Sequence, residues 1–309
     1  MKTIPLGKTG LEVPAVAVGC MRMNRLQPAE AQRFVGTALE LGMSFFDHAD
    51  IYGDGACEKI FAKAYTGARE NIFLQSKCGI RPGEKPPGTV RYDFSKEHIL
   101  ASVDGILTRL GTQYLDVLLL HRPDALVEPD EVAEAFDRLH ASGKVRHFGV
   151  SNHNPMQIQL LQRYVRQPLV ANQLQFGLGH AFMVAQGTHV NMADDAAVNR
   201  DSGVLDFCRL HDITVQPWSP FQYGMFKGAF IGDKRFKDLN AKLDALAAAY
   251  NTDSTAVALA WILRHPAKMQ PVIGTMNPAR LASCAKAAEL ALSREDWYAL
   301  YHAAGNTLP

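Results

Sequence analysis

A chain of 309 residues with 47% hydrophobic content is long enough to bury a substantial core, as one large domain or two smaller ones. Its 32 Lys and Arg against 31 Asp and Glu leave a net charge of +1, so no global field draws it to nucleic acid or to an anionic membrane. No apolar run approaches the roughly 18 residues that span a bilayer, and residues 1–5 lead into turn residues rather than a signal-peptide core, so the expected location is cytoplasmic. Five scattered cysteines (Cys20, Cys57, Cys78, Cys208, Cys284) with no C-x-x-C pair read as free thiols, and no metal site is expected.

Residues 3–14 alternate apolar and polar side chains around Gly-Lys-Thr-Gly, a hairpin pattern expected to cap the fold. A short apolar strand at 15–19 follows, then a helix over 28–41 with Phe34, Ala38 and Leu41 on one side, stopped by Gly42. Phe45-Phe46-Asp47-His48-Ala49-Asp50-Ile51-Tyr52-Gly53 reads as a buried strand running out into a loop. A helix at 56–65 leads to a strand that ends on Lys77, and the Pro- and Gly-rich residues 80–94 read as a loop. Ser95 starts a helix that Gly111 stops. The nearly continuous apolar run 115–120 ends on His121, the pattern of a strand buried on both faces.

Helix 130–141, strand 146–150, helix 155–164 and strand 169–174 continue the alternation. A polar segment at 177–200 precedes helix 203–211, strand 213–218 and a long loop at 219–236. Helices at 239–250 and 254–264, strand 271–274 and helices at 278–290 and 294–303 complete the chain. Eight strands separated by helices, without a composition break, imply parallel pairing and right-handed crossovers. The expected architecture is α/β, a single (β/α)8 TIM barrel over 1–309 with an N-terminal β-hairpin cap and a C-terminal helical tail. An open dinucleotide-binding sheet lacks its signature, because no G-x-G-x-x-G follows the first strand.

Residues that end the strands of such a barrel converge on one face. Asp47, Tyr52, Lys77 and His121 are those residues. Each alone has an ordinary structural explanation: a cap, a solvated lysine, a hydrogen-bonded histidine. Together they make a chemical unit, because a phenol with a reference pKa near ~10 is a poor acid unless a cation favours its ionised form. Lys77 can be that cation, a carboxylate such as Asp47 would keep it charged in a buried setting, and His121 can hydrogen-bond the phenol or a substrate oxygen.

The sequence resembles the aldo-keto reductase family of NAD(P)H-dependent carbonyl reductases. Four stretches carry the resemblance: Asp47-x-x-x-x-Tyr52-Gly53, Leu74-Gln75-Ser76-Lys77, Leu118-Leu119-Leu120-His121-Arg122 and Gly149-Val150-Ser151-Asn152. It implies a catalytic tetrad of Tyr52, Asp47, Lys77 and His121 with Tyr52 as proton donor. It also implies NADPH (NADP+) as cofactor. The carboxamide would be held by Ser151, Asn152 and Gln173, and Trp218 would stack on the nicotinamide within Trp218-Ser219-Pro220-Phe221-Gln222. The 2′-phosphate would lie at Gly274-Thr275-Met276-Asn277 and Arg280, where helix-start amides can face an anion and Arg280 adds charge. Met21 and Arg22 are expected near the cofactor or the substrate. Conserving the family's chemistry, the chain would reduce aldehydes and ketones to alcohols.

An NADP-binding regulatory or sensor protein on the same barrel is the alternative, since a fold does not by itself impose turnover. A metal-dependent hydrolase using Asp47, His48, Lys77 and His121 is disfavoured, because no H-x-H or H-E-x-x-H cluster ends a strand. His48 should point away from Asp47 and pack, and Cys20 and Cys78 read as inert thiols. Tyr92, Phe176, Phe182, Met183, Phe221, Tyr223, Met225 and Phe226 lie in the long loops and suit equally an accommodating apolar pocket for a small-molecule carbonyl or the packing of a lid. Nothing in the sequence requires more than a monomer.

Overall fold

In the computed structural model, which describes residues 1–82 and 89–309, the expected hairpin forms first, from β1 (Thr3–Pro5) and β2 (Glu12–Pro14), paired antiparallel. Eight later strands close into a barrel: β3 (Ala17–Gly19), β4 (Phe45–Asp47), β5 (Phe73–Cys78), β8 (Leu115–Leu120), β9 (Val145–Ser151), β10 (Leu169–Gln175), β11 (Thr214–Trp218) and β12 (Val272–Ile273). Every neighbouring pair is parallel, and β12 closes on β3. The fold is therefore the expected (β/α)8 barrel. β8 is buried at all six positions, as a strand covered by helices on one side and by the barrel interior on the other must be.

Two cores result. Inside the barrel, Phe45, Val117, Leu119, Val170, Ala171 and Val272 pack with Leu6 and Val13 of the hairpin. The hairpin thus seals the end of the barrel where the strands begin, and Gly7 N donates to Thr214 Oγ1 at 2.8 Å. Outside, helices lay apolar faces on the strands. In α1 (Pro28–Glu40) these are Ala31, Phe34, Val35 and Ala38, after Pro28 in the first turn and a capping box between Gln27 and Glu30. Helix α2 (Ala56–Ala64) follows the strand that ends on Asp47, and α3 (Lys96–Leu110) starts at Ser95, whose hydroxyl accepts from His98 N, and stops at Gly111.

The C-terminal tail docks through reciprocal hydrogen bonds. Trp261 of α9 (Ser254–Leu263) donates Nε1 to Trp297 O at 3.1 Å, and Trp297 of α11 (Arg294–Ala303) returns one to Trp261 O at 2.9 Å. Their rings stack at 4.8 Å, which accounts for α9 being apolar nearly all round.

Three expectations are corrected. The loop assigned to 80–94 contains an antiparallel pair, β6 (Ile80–Pro82) with β7 (Val90–Tyr92); residues 83–88 lie outside the described residues. Its strands are only three residues long, too short for alternation to register. The segment 177–200 contains helix α6 (Phe182–Thr188) and a 3-10 turn at Asp195–Ala197, since tertiary packing of Met183 and Ala185 outweighs the weak propensity around Gly187. Helix α10 (Pro278–Ala287) ends at Ala287 rather than 290.

Candidate active site

Strand register brings the tetrad together. Asp47 pairs with Gly19 on one side and Gln75 on the other, and Lys77 lies two residues beyond Gln75 on the same face of β5. Tyr52 sits in the turn after β4, held by its N–H to Ala49 O at 3.0 Å. Gly53 lets the chain leave: its φ is +57°, and a Cβ there would meet Asn24 Nδ2 at 2.9 Å.

The Lys77 ammonium is fully buried and fully coordinated. It donates to Asp47 Oδ1 and Oδ2 at 2.8 Å each, to His48 O at 2.7 Å and to Tyr52 OH at 3.2 Å. Burial works against its charge, but the attraction of Asp47 and then Tyr52 outweighs it and moves the lysine up from its ordinary value. Burial likewise pushes the Tyr52 phenol up, with Lys77 opposing. At neutral pH this geometry holds an ammonium against a protonated phenol.

His121 ends β8 with its N–H on Cys78 O at 2.9 Å, and its ring meets Tyr52 edge-on at 6.0 Å between centroids. No hydrogen bond joins it to Tyr52 among the described residues. Its Nδ1 is buried without a partner, and burial, followed by Lys77 and Arg122, moves it well below its ordinary range. A neutral imidazole therefore faces the cavity.

Asp47, Tyr52 and His121 line a cavity of about 1030 Å³, together with Met21, Arg22, Ser151, Asn152, Gln173, Trp218, Ser219, Pro220, Phe221, Gln222, Gly274, Thr275, Met276, Asn277 and Arg280. All the residues that the resemblance indicated are thereby brought to one place, with Lys77 directly beneath the floor. Ser151 Oγ donates to Gln173 O at 3.0 Å, Asn152 Nδ2 to Ser151 Oγ at 2.7 Å, and Trp218 Nε1 to Asn152 Oδ1 at 3.1 Å. Asn152 and Ser219 have φ of 61° and 50°, left-handed conformations of non-glycine residues, which concentrate at ligand sites. Arg22 Nη1 donates to Gly274 O at 3.0 Å, so tightly that a Cβ on Gly274 would stand 2.7 Å from the same nitrogen.

In one respect the site differs from expectation. The amides at the start of α10 (Pro278–Ala287) do not face outward: Asn277 Oδ1 accepts from Ala279 N at 2.9 Å and Arg280 N at 3.3 Å, and Thr275 Oγ1 accepts from Asn277 N at 3.1 Å. A capped helix has already satisfied these donors, which leaves the Arg280 guanidinium as the cationic group at this end of the cavity.

Sequence reasoning missed a buried chain of glutamines. Gln75 Nε2 donates to Asp47 Oδ1 at 2.6 Å and to Gln216 Oε1 at 2.9 Å, while Gln173 Nε2 reaches Asp47 Oδ1 at 3.1 Å. Gln216 Nε2 returns to Gln75 Oε1 at 3.1 Å and reaches Gln270 Oε1 at 2.8 Å; Gln270 Nε2 ends on Pro14 O at 2.7 Å. All four glutamines are at most 3% exposed. The signal was the period of two: Gln75 precedes Lys77, and Gln216 precedes Trp218, by two positions. Behind the tetrad, buried Glu58 takes Ser76 Oγ at 3.0 Å and Arg109 Nε at 2.6 Å.

His48 packs edge-on against Phe61 at 4.7 Å, pointing away from Asp47's partners, and burial brings its pKa down to about 3. Burial raises Cys20 and Cys78 well above the ordinary thiol range, which leaves both unreactive. Among the described residues no group of three or more His, Cys, Asp or Glu side chains could hold a metal ion, and no helix is long and apolar enough to cross a membrane.

Comparison with known proteins agrees with this geometry. The profile of the aldo/keto reductase family matches residues 15–304. An uncharacterized oxidoreductase of Bacillus subtilis, YcsN, is 35% identical over 95% of each chain. A 6-dehydroglucose reductase of Agrobacterium fabrum is 36% identical over 94% of each. Among solved structures, the thermostable aldo-keto reductase Tm1743, crystallised with the inhibitor epalrestat, superposes with a TM-score of 0.78 at 24% identity, covering 98% of this chain and all of its own.

Proposed function

The chain belongs to the aldo/keto reductase family, and from that premise we propose that it is an NADPH-dependent reductase of aldehydes and ketones in which Tyr52 is the proton donor. The observation that carries the proposal is the cavity-lining Tyr52, its hydroxyl held 3.2 Å from the buried, carboxylate-paired Lys77 ammonium. When bound, NADPH supplies the hydride that reaches the carbonyl carbon. The residues present fit that cofactor. Trp218 offers a flat ring, Ser151, Asn152 and Gln173 offer amide and hydroxyl groups, and Arg22 and Arg280 offer guanidiniums on the cavity wall suited to phosphate.

The rest of the chemistry falls to this chain's own side chains. Negative charge develops on the carbonyl oxygen, and Tyr52 releases its proton there. Lys77 stabilises the phenolate left behind, and Asp47 keeps Lys77 charged inside a dry wall. His121, neutral, donates an N–H to the same oxygen. The proposed preference for NADPH over NADH rests on Arg280 and Arg22 as groups for the 2′-phosphate.

The test is cofactor consumption by the purified chain over aldehydes, quinones, dicarbonyls and sugar-derived aldehydes, with NADPH and NADH run in parallel. Sugar-derived aldehydes enter because two relatives at 36% and 34% identity are named 6-dehydroglucose reductases. Oxidation of NADPH coupled to alcohol formation is expected. Cofactor binding without turnover of any carbonyl would overturn the proposal.

A further inference from the structure

Arg122 follows His121 at the end of β8, and its side chain lines the same cavity as Tyr52. Its guanidinium lies 5.8 Å over the Trp218 ring, and Nη2 donates to Met225 Sδ at 3.7 Å. Among the described residues it has no ion pair. Asp124, two residues on, and Asp93, before α3, are already committed. Asp124 accepts from Phe94 N and Leu126 N, and Asp93 from Arg81, Ser95 N and Ser95 Oγ.

Among the described residues the cavity wall carries four guanidiniums, Arg22, Arg25, Arg122 and Arg280, and one carboxylate, Asp47. That carboxylate is neutralised by Lys77. Of the four, Arg22 is tied to Gly274 O and Arg280 stands at the start of α10, the end assigned above to phosphate. Arg122 stands apart from them, next to a member of the tetrad. A partly buried cation whose partners among the described residues are a thioether and a ring is poorly compensated, and burial accordingly moves it down from its ordinary value. A carboxylate would satisfy it with two parallel charge-assisted hydrogen bonds. Around it the cavity is apolar: Val90, Tyr92, Met225 and Phe226 line the wall while remaining 41–61% exposed.

We infer that Arg122 forms an anion subsite for the carbonyl substrate, and that the site takes oxo-acids, aldehydes or ketones that carry a carboxylate on an apolar body. The inference rests on the reductase reading. The guanidinium fixes the carboxylate end, the apolar wall covers the body, and the carbonyl is left at Tyr52 and His121.

Two matched pairs test it: succinic semialdehyde against butanal, and 4-carboxybenzaldehyde against benzaldehyde. For each pair the ratio of kcat/KM, acid over neutral, is compared between the native chain, Arg122→Met and Arg122→Lys. Intrinsic carbonyl reactivity cancels, because every enzyme meets the same two compounds. The ratio is expected to fall at least about tenfold in Arg122→Met for one pair or both, the size of one charge-assisted contact, with partial recovery in Arg122→Lys. A change below threefold in both pairs overturns the inference while leaving the reductase reading intact. A readout without turnover separates the two further. Benzoate titrated into the chain with NADP+ present, followed by tryptophan fluorescence because Trp218 underlies Arg122, should bind about tenfold more weakly to Arg122→Met. Equal affinity in both proteins overturns the anion subsite, whether or not any carbonyl is reduced.

Discussion

Replacing Lys77 by Met tests whether the buried ammonium is both a structural and a chemical keystone. The substitution removes four donor contacts and leaves Asp47, 2% exposed, facing Gln75 and Gln173 without a cation. Breaking a buried pair by removing one partner costs about 3–5 kcal/mol, because the remaining charge stays dry. For a chain of this size, about 2–3 °C of Tm per kcal/mol makes the expected drop roughly 6–15 °C by calorimetry. Tyr52 loses its hydrogen-bonded cation at the same time. Carbonyl reduction should fall by about 10²–10⁴-fold, the range of a positioned proton donor. The double variant Asp47→Leu/Lys77→Met, which removes both charges, should regain part of the lost Tm but none of the turnover. A Lys77→Met protein that melts within about 2 °C of the native chain and keeps more than a tenth of its rate would refute the reasoning.

Other outcomes follow from the same contacts. His48, fully buried and neutral down to about 3 from an ordinary 6.5, makes the unfolded state the better proton binder below pH 6.5, so stability falls as pH drops from 6.5 toward 3. By pH 5 this amounts to about 2 kcal/mol, and His48→Phe should lose that much less stability between pH 7.5 and 5 in urea unfolding; equal slopes would contradict it. Gln75→Leu strips Asp47 of its 2.6 Å donor and Gln216 of both its contacts with Gln75. It should cost about 2.5–6 kcal/mol, from ~1.5–3 kcal/mol for the lost bond to the carboxylate and ~0.5–1.5 kcal/mol for each of the two lost amide bonds. Turnover should fall with it; unchanged melting would mean the glutamine chain holds nothing in place.

The sequence made the barrel and the tetrad legible for the same reason. Asp47, Lys77 and His121 each end an apolar run, and a run's end is where a barrel exposes side chains to its cavity. The pairing β6 with β7 was hidden by three-residue strands, and α6 by a glycine and polar flanks. Gln75, Gln216 and Gln270 escaped because a polar residue inside a strand reads as facing solvent. Here one layer of the barrel interior, around Asp47 and Lys77, is itself polar, and only register across β4, β5, β10 and β11 shows which carboxylate they serve. Asn277 escaped for a local reason: its side chain competes with any ligand for the helix-start amides, and the residue types alone do not say which wins.

The most direct measurement concerns Tyr52. Tyr52→Phe removes one oxygen and keeps the ring against His121. NADPH affinity by fluorescence titration and single-turnover carbonyl reduction should be measured on the same preparation. The account predicts affinity within about twofold of the native chain and reduction slowed by about 10²-fold or more. Reduction at an undiminished rate with intact cofactor binding would show that the proton comes from elsewhere.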